Sequence, residues 1–307
     1  MDVAMATGVD GAVAVSLDRV TKVYRGGGGV HELSLDIVQG EVFGFLGPNG
    51  AGKTTTIRLI LDLIRPSVGR ISVFGLDSRN ESVEIRRRVG YLPGELALYE
   101  RLSARQILSH FAYLRGGLDW SGVQHYVDAF ELDIDRPVRA LSRGNRQKVG
   151  LVAAMMGDPD FLVLDEPTSG LDPLVQRTVQ AEVRRAAREG RTVLLSSHVL
   201  SEVGEMADRV GLIRDGRLIA IESVTQLRQR AAHLVEVRFR EATDTKEFIA
   251  LPGVLAHHVE GASLHLEIAG DLNAMVALLA RHDLEDLSIR EPTLEELFMR
   301  FYGVRGE

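Results

Sequence analysis

One octapeptide, Gly47-Pro-Asn-Gly-Ala-Gly-Lys-Thr, has the spacing G-x-x-x-x-G-K-[ST]. In this spacing the glycines let backbone N–H groups converge on phosphate oxygens, and the following helix N-terminus favours an anion. We expect Lys53 to contact the β and γ phosphates of a nucleotide, and the Thr54 hydroxyl to bind Mg²⁺. The residues predicted to hold the nucleotide are Gly47, Pro48, Asn49, Gly50, Ala51, Gly52, Lys53, Thr54 and Thr55.

A second candidate site is the carboxylate pair that follows the apolar run Phe161-Leu-Val-Leu. At the end of a buried strand, Asp165 is placed to hold hydrated Mg²⁺, and Glu166 to polarise an attacking water. An Asp-Glu pair after a strand is, by itself, more often part of a solvated loop. About 110 residues after a phosphate loop in an α/β pattern, it indicates a nucleotide-hydrolysing site.

The elements around these residues favour an α/β fold. An apolar run, Glu41-Val-Phe-Gly-Phe-Leu, leads directly into the glycine-rich loop, and a helical pattern follows until Pro66. Two apolar runs, Phe161-Leu-Val-Leu and Thr192-Val-Leu-Leu, flank a helical stretch, which is typical of a central parallel sheet covered on both faces. Residues 103–139 have helical periodicity and no strong strand, so we expect an inserted helical subdomain.

The octapeptide Leu141-Ser-Arg-Gly-Asn-Arg-Gln-Lys resembles the LSGGQ signature of ATP-binding-cassette (ABC) proteins. The resemblance implies a P-loop NTPase (RecA-like) core, with ATP and Mg²⁺ as its ligands. It also implies that Ser142, Gly144 and Asn145 contact the ATP of a second subunit. Arg143 replaces the middle glycine of the signature, and Asn145 replaces its glutamine. The serine and the second glycine, which offer a hydroxyl and an N–H group to an anion, are retained.

Further segments match the same family. The peptide Ser169-Gly-Leu-Asp-Pro resembles its D-loop, which places Asp172 near the nucleotide, and Leu195-Ser-Ser-His resembles its switch segment, in which His198 contacts the γ-phosphate. Tyr24 matches the aromatic residue that stacks on adenine, although a plain surface tyrosine is the alternative. The family's Q-loop glutamine falls at Gly94, which has no side chain to bind Mg²⁺. Either Glu95 substitutes for it, or the loop serves mainly as a hinge.

Composition excludes several other classes of protein. The 307 residues include no cysteine, so disulfides, thiol catalysis and cysteine-bound metals are excluded, and the net charge of −7 argues against nucleic-acid binding. No apolar run approaches the length that a membrane span requires. We expect a flexible tail at 1–14, an ATPase domain at 15–231 with a helical subdomain at about 95–141, and a small α+β accessory domain at 232–307.

The last segment, Glu291-Pro-Thr-Leu-Glu-Glu-Leu-Phe-Met-Arg-Phe-Tyr-Gly, resembles the tail of bacterial drug-export cassettes of the daunorubicin-resistance type (ABC-2 type). The resemblance implies a dimeric ATPase that powers export of drugs or other hydrophobic compounds through a separately encoded membrane permease. Its place would be the cytoplasmic face of the plasma membrane. Two alternatives remain open: a soluble ABC ATPase with an assembly or regulatory role, and the energising subunit of an importer.

Overall fold

The computed structural model describes residues 11–117, 119–229, 232–241, 243–294 and 296–297. Contacts divide the chain into two compact units, Met1–Glu222 and Ser223–Glu307. The sequence places this division later, between residues 231 and 232. The first strand begins at Val13, so the expected tail at 1–14 overlaps the strand by two residues. Its first ten residues lie outside the described ones.

The first unit consists of two sheets and the helices that cover them. Its described strands are β1 (Val13–Val23), β2 (Gly29–Val38), β3 (Val42–Leu46), β4 (Val68–Val73), β5 (Leu76–Asp77), β6 (Val89–Leu92), β7 (Phe161–Asp165), β8 (Thr192–Ser197), β9 (Arg209–Arg214) and β10 (Arg217–Ser223). Its described helices are α1 (Lys53–Ile60), α2 (Ser82–Arg87), α3 (Ala104–Leu114), α4 (Trp120–Ala129), α5 (Arg143–Met155), α6 (Pro173–Arg188) and α7 (Leu200–Met206), with a 3-10 turn at Val138–Ala140.

The central sheet has the strand order β10-β9-β3-β8-β7-β6. Neighbouring strands from β9 to β6 run parallel. Strands β3, β7 and β8 are buried along their whole length, as their continuous apolar sequences predict for a sheet covered on both faces. This arrangement confirms the α/β P-loop fold class. Because parallel strands end at one edge of a sheet, the segments after β3, β7 and β8 lie together there.

The second sheet of the first unit, β2-β1-β4-β5, is antiparallel in its described pairings. Val15 and Leu17 of β1 are both buried, two residues apart as on one face of a strand. These side chains join Phe43, Phe45 and Ile57 of the central sheet and α1 in one core cluster. The two sheets therefore share a single core, which fixes the start of β2 against the phosphate loop.

Helices α3 and α4 lie within the segment expected to be helical, between β6 and α5. Helix α3 begins with a capping box in which Ser103 and Gln106 satisfy each other's backbone N–H groups. At its other end Arg115 donates to the carbonyl oxygens of Met156 (3.1 Å) and Val89 (3.2 Å). Arg115 thus links the end of α3 to the end of α5, the helix that carries the signature residues, and to the start of β6.

The second unit is a small α+β structure. It contains α8 (Val224–Gln229), β11 (His233–Phe239), α9 (Lys246–Ile249), β12 (Val254–Glu260), β13 (Ser263–Ile268), α10 (Asn273–Leu279) and β14 (Leu284–Arg290). The sheet order is β12-β13-β11-β14, and residues including Phe239, Phe248 and Met275 form its core. Thr293 and Glu296 form a capping box by exchanging hydrogen bonds. Arg290, with help from Thr293, lowers the pKa of Glu296 to about 2.

Candidate active site

The glycine-rich loop connects β3 to α1 at the carboxyl edge of the central sheet. Gly50 and Gly52 have φ angles of 81° and 110°, which favour glycine. A Cβ atom on Gly47 would lie 2.3 Å from the Ile213 carbonyl oxygen, so a side chain there would collide with β9. The loop therefore needs these glycines to adopt its conformation, in which it lines a cleft of about 530 Å³.

Lys53, the first residue of α1, is only 6% exposed. Its ammonium group donates to the Gly47 carbonyl oxygen (2.5 Å) and to that of Pro48 (3.3 Å). It also lies 3.5 Å from Oε1 of Glu166. The loop thus presents a nearly buried cation, held by its own backbone, on the floor of the cleft, where it attracts a polyphosphate strongly.

Asp165 ends β7 and is completely buried. Its Oδ2 accepts a hydrogen bond from the Thr54 hydroxyl at 2.7 Å, and its Oδ1 accepts one from Ser196 of β8. The Ser196 hydroxyl reaches Asp165 because β7 and β8 pair in parallel, with the two residues opposite each other, whereas Thr54 comes from the first turn of α1. The structure therefore brings together Thr54 and Asp165, the two residues expected to bind Mg²⁺.

Glu166 follows directly, with its carboxylate turned into the cleft. Its Oε2 lies 2.8 Å from Nδ1 of His198, and its N–H donates to the Ser196 carbonyl oxygen (3.1 Å). Glu166 has a φ angle of 53°, in the left-handed region that few residues other than glycine adopt. A strained backbone that aims a carboxylate at a cation and an imidazole is typical of a reactive site.

Gly94 occupies the side of the cleft where a glutamine is expected. A Cβ atom there would lie 3.1 Å from Oδ2 of Asp165. The lining of the cleft also includes Glu95 and Arg58. Burial and the Asp165 charge raise the pKa of Tyr91, while a hydrogen bond and the charge of Arg58 oppose the rise. A side chain at Gly94 would thus crowd the buried carboxylate. Arg58 adds a cation that sequence reasoning missed.

The signature residues are in a different place. Ser142 caps α5 by accepting a hydrogen bond from the Asn145 N–H group at 3.2 Å, and its side chain is exposed. Asp172 caps α6 in the same way, accepting from the N–H groups of Leu174 and Val175. The lining of the phosphate cleft includes none of Ser142, Gly144, Asn145 and Asp172. Within one chain, these groups are not brought to the phosphate loop.

Gln147 is a residue of the site that sequence reasoning missed. It is buried in α5, and its amide donates to the carbonyl oxygens of Glu166 (3.2 Å) and Pro167 (3.3 Å). Its position one helical turn after Arg143, among apolar residues of a helix beside the Asp-Glu strand, was the available signal. Gln147 ties the signature helix to the backbone of the segment that carries the carboxylate.

Tyr24 lies in the turn between β1 and β2, 39% exposed and outside the lining of the cleft. The turn is closed by hydrogen bonds from Tyr24 N–H to the Gly28 carbonyl and from Gly27 N–H to the Tyr24 carbonyl. The turn ends at Gly29. The carbonyl oxygen of Gly29 is 2.9 Å from the position that a Cβ atom on Gly52 would occupy. The structure thus places the turn beside the phosphate loop, with the Tyr24 ring open to solvent.

Comparison with known proteins identifies the family. Residues 30–169 match the family model described as ABC transporter. The chain is 34% identical over 303 residues to the daunorubicin resistance ATP-binding protein DrrA3 of Streptomyces coeruleorubidus, a match that covers 94% of this chain and 96% of that protein. The chain belongs to the ABC transporter ATP-binding proteins. It is an ATPase subunit, which confirms the resemblance of its signature and of its carboxyl-terminal segment.

Another relative and a solved structure agree with this assignment to the ABC family. The bacitracin transport ATP-binding protein BcrA of Bacillus licheniformis is 31% identical over 295 residues, covering 92% of the present cassette and 95% of its own length. A structure of an ATP-binding subunit of an ABC transporter superposes with a TM-score of 0.65 at 27% identity, covering 71% of this chain and 92% of that one. In the part of the chain that the structure describes, no helix is long and apolar enough to cross a membrane.

Proposed function

We propose that two copies of this chain hydrolyse ATP at their interface and drive the export of drugs or other hydrophobic compounds through a separate membrane permease. The observation that carries the proposal is the division of the catalytic parts. Lys53, Thr54, Asp165 and Glu166 share one cleft, whereas Ser142 and the rest of the signature lie outside it. The relatives DrrA3 and BcrA, named for daunorubicin resistance and bacitracin transport, support export as the purpose.

In the proposed reaction, Glu166 accepts a proton from the water whose oxygen attacks the γ-phosphorus. The bond between that phosphorus and the bridging oxygen breaks, releasing ADP and phosphate. His198 holds the carboxylate of Glu166 through the 2.8 Å contact, and Lys53 attracts the negative charge of the phosphates. Because the reaction needs little covalent chemistry from the protein, its rate depends on this positioning and charge.

The residues around Asp165 fit Mg²⁺, which prefers oxygen ligands and keeps several waters. The Thr54 hydroxyl and a buried carboxylate oxygen lie 2.7 Å apart, and Gly94 has no side chain to crowd that oxygen. Thr54 and Asp165 would hold the ion, Asp165 through water. Bound with ATP, the ion would neutralise charge on the phosphate oxygens. Tyr24 would stack on the adenine from the neighbouring turn.

A second copy would complete the site. The exposed Ser142 hydroxyl and the first N–H groups of α5 form an anion-binding helix terminus, and Asp172 stands at the start of the next helix. Facing the cleft of another copy, Ser142, Gly144 and Asn145 would cap its γ-phosphate. ATP would then act as a bridge, so that binding closes the dimer and hydrolysis opens it.

The domain organisation and location follow from the same proposal. Residues 15–231 would form the ATPase domain, with the helices at about 95–141 as the face that docks on the permease. Residues 232–307 would form the accessory domain. The subunit would then sit peripherally on the cytoplasmic face of the plasma membrane through its permease.

The experiment separates ATPase activity from export. Deletion of the gene from its bacterial host should lower the minimal inhibitory concentration of at least one compound in a panel of amphipathic antibiotics. Wild-type chain should restore resistance, and Lys53→Ala should not, although both are expressed equally. Loss of ATPase without any change of resistance or accumulation across the panel would contradict export and favour a regulatory role.

A further inference from the structure

Arg143 is an unusual residue for its place in the chain. It is the first residue of α5, directly after the N-cap Ser142. A cation is disfavoured at a helix N-terminus, because the unpaired N–H groups already give it a partial positive charge. Among the ion pairs of the described residues, none involves Arg143. A residue that breaks a local rule without an evident partner charge calls for a functional explanation.

The side chain of Arg143 lies along the D-loop of its own chain. Its Nη2 donates to the Ser169 hydroxyl at 3.3 Å. A Cβ atom on Gly170 would lie 3.3 Å from its Nε, and 3.5 Å and 3.6 Å from its Cδ and Cγ. Gly170 has a φ angle of 75°, a second reason for glycine there. The bare backbone of Gly170 therefore provides the surface on which the guanidinium stem rests.

Two more contacts join the same segments. A Cβ atom on Gly144 would lie 3.0 Å from the Gly170 carbonyl oxygen, so helix and loop are in close backbone approach. Gln147, on the same face of α5 one turn later, donates to the carbonyl oxygens of Glu166 and Pro167. One face of the signature helix therefore contacts the segment 166–170 from the carboxylate to the D-loop.

From this geometry we infer that Arg143 is a positioning residue, which fixes the D-loop at Ser169 and Gly170 to the signature helix of the same chain and so makes the two ATP sites of the dimer interdependent. The inference rests on the proposed dimer. In that dimer, Glu166 acts on the ATP bound to its own chain, whereas Ser142 contacts the ATP bound to the partner chain. A shift at Glu166 on hydrolysis is passed through the braced D-loop to Ser142, and thereby to the other site.

The test compares Arg143→Ala with wild-type full-length chain in steady-state ATP hydrolysis. We expect kcat to fall about tenfold, as for loss of one hydrogen bond to a charged group at a partly exposed site. The half-saturating ATP concentration should change less than about threefold, because the Arg143 guanidinium is turned to Ser169 of its own chain. The Hill coefficient for ATP, above 1 in the wild type, should fall to about 1. Arg143→Lys, which keeps the charge without the planar fork, should recover part of the loss.

A double-mutant cycle identifies the partner. Ser169→Ala should reproduce the loss of cooperativity, and the double variant should be no worse than Arg143→Ala alone. The matched control is Arg70→Ala, an exposed arginine on β4, which should leave kcat and the Hill coefficient unchanged. Thermal unfolding of every variant shows whether the folded fraction differs, and a smaller folded fraction lowers the amplitude without altering the Hill coefficient.

Two results would overturn the inference. One is a wild-type kcat and Hill coefficient in Arg143→Ala. The other is a defect in Arg143→Ala that Ser169→Ala does not share and to which it adds independently, because the arginine then acts elsewhere. A dimer of wild-type chains with a Hill coefficient of 1 for ATP would overturn it as well. A wild-type chain that hydrolyses ATP without any dimerisation would instead refute the dimer on which the inference rests, and light scattering with ATP distinguishes the two failures.

Discussion

Replacement of Glu166 by glutamine tests the centre of the proposed mechanism. The substitution keeps the shape of the side chain. In the wild-type chain Nδ1 of His198 lies 2.8 Å from the Glu166 carboxylate, and the amide oxygen of a glutamine can accept the same hydrogen bond. A neutral amide cannot take the proton of the attacking water. General-base catalysis contributes about 10²–10⁴-fold to a rate, so we expect kcat to fall by that factor, which corresponds to about 3–5 kcal/mol in the barrier.

Binding of ATP should change in the opposite direction. The Glu166 carboxylate lies 3.5 Å from the Lys53 ammonium, with which the phosphates must interact. Removal of that negative charge from a largely buried cation favours a polyanion. Glu166→Gln should therefore bind ATP at least as tightly as the wild type, and with Mg²⁺ it should accumulate as an ATP-bound dimer.

The assay measures phosphate release, binding of a fluorescent ATP analogue and molar mass by light scattering on the same preparations. The control is Glu84→Gln, an exposed carboxylate on α2, which should hydrolyse ATP at the wild-type rate. A kcat of Glu166→Gln within about fivefold of the control would refute Glu166 as the proton acceptor. Glu95, which also lines the cleft, would then be the next carboxylate to test.

Three further predictions concern other parts of the site and fold. Asp165→Asn should raise the Mg²⁺ concentration for half-maximal hydrolysis at least about tenfold, because it weakens a hard-oxygen site; titration of Mg²⁺ at fixed ATP checks this. Tyr24→Ala should weaken ATP binding about three- to tenfold and leave tripolyphosphate binding unchanged, whereas Tyr24→Trp should retain ATP affinity, since only ring stacking is altered; equal losses for both ligands would contradict the stacking role. Arg115→Ala should lower the free energy of unfolding by about 2–4 kcal/mol in urea titration, because two carbonyl groups lose a charged donor; an unchanged midpoint would show that water replaces it.

A single sequence places residues best where a short motif carries its own geometry. Residues 47–54 and the pair Asp165-Glu166 could be placed because strand, turn and helix follow one another locally, and because parallel strands end at one edge. The contact of Ser196 with Asp165 could not be read in this way, since it depends on the register between β7 and β8. The roles of Gln147 and Arg58 could not be predicted for a similar reason. Their partners are distant in sequence and come close only through helix packing.

Domain boundaries have no local motif of this kind. The compact units divide at residue 222 rather than 231, because β10 and α8 follow each other without a glycine- or proline-rich linker that composition could reveal. The strand beginning at Val13 is preceded by small apolar residues that are typical of both tails and strands. Such ends are decided by pairing with a neighbouring strand, here β2, and a single sequence does not display that pairing.

The backbone conformation of Glu166 lowers the stability of the chain, whereas the carboxylate at this position is needed for activity. A non-glycine residue at a φ of 53° costs on the order of 1–2 kcal/mol relative to glycine. An engineering screen that selects only for heat resistance would therefore favour glycine at this position, and would discard the carboxylate in doing so. Thermostable variants of this ATPase should be selected for turnover as well as for melting temperature, or position 166 should be held fixed.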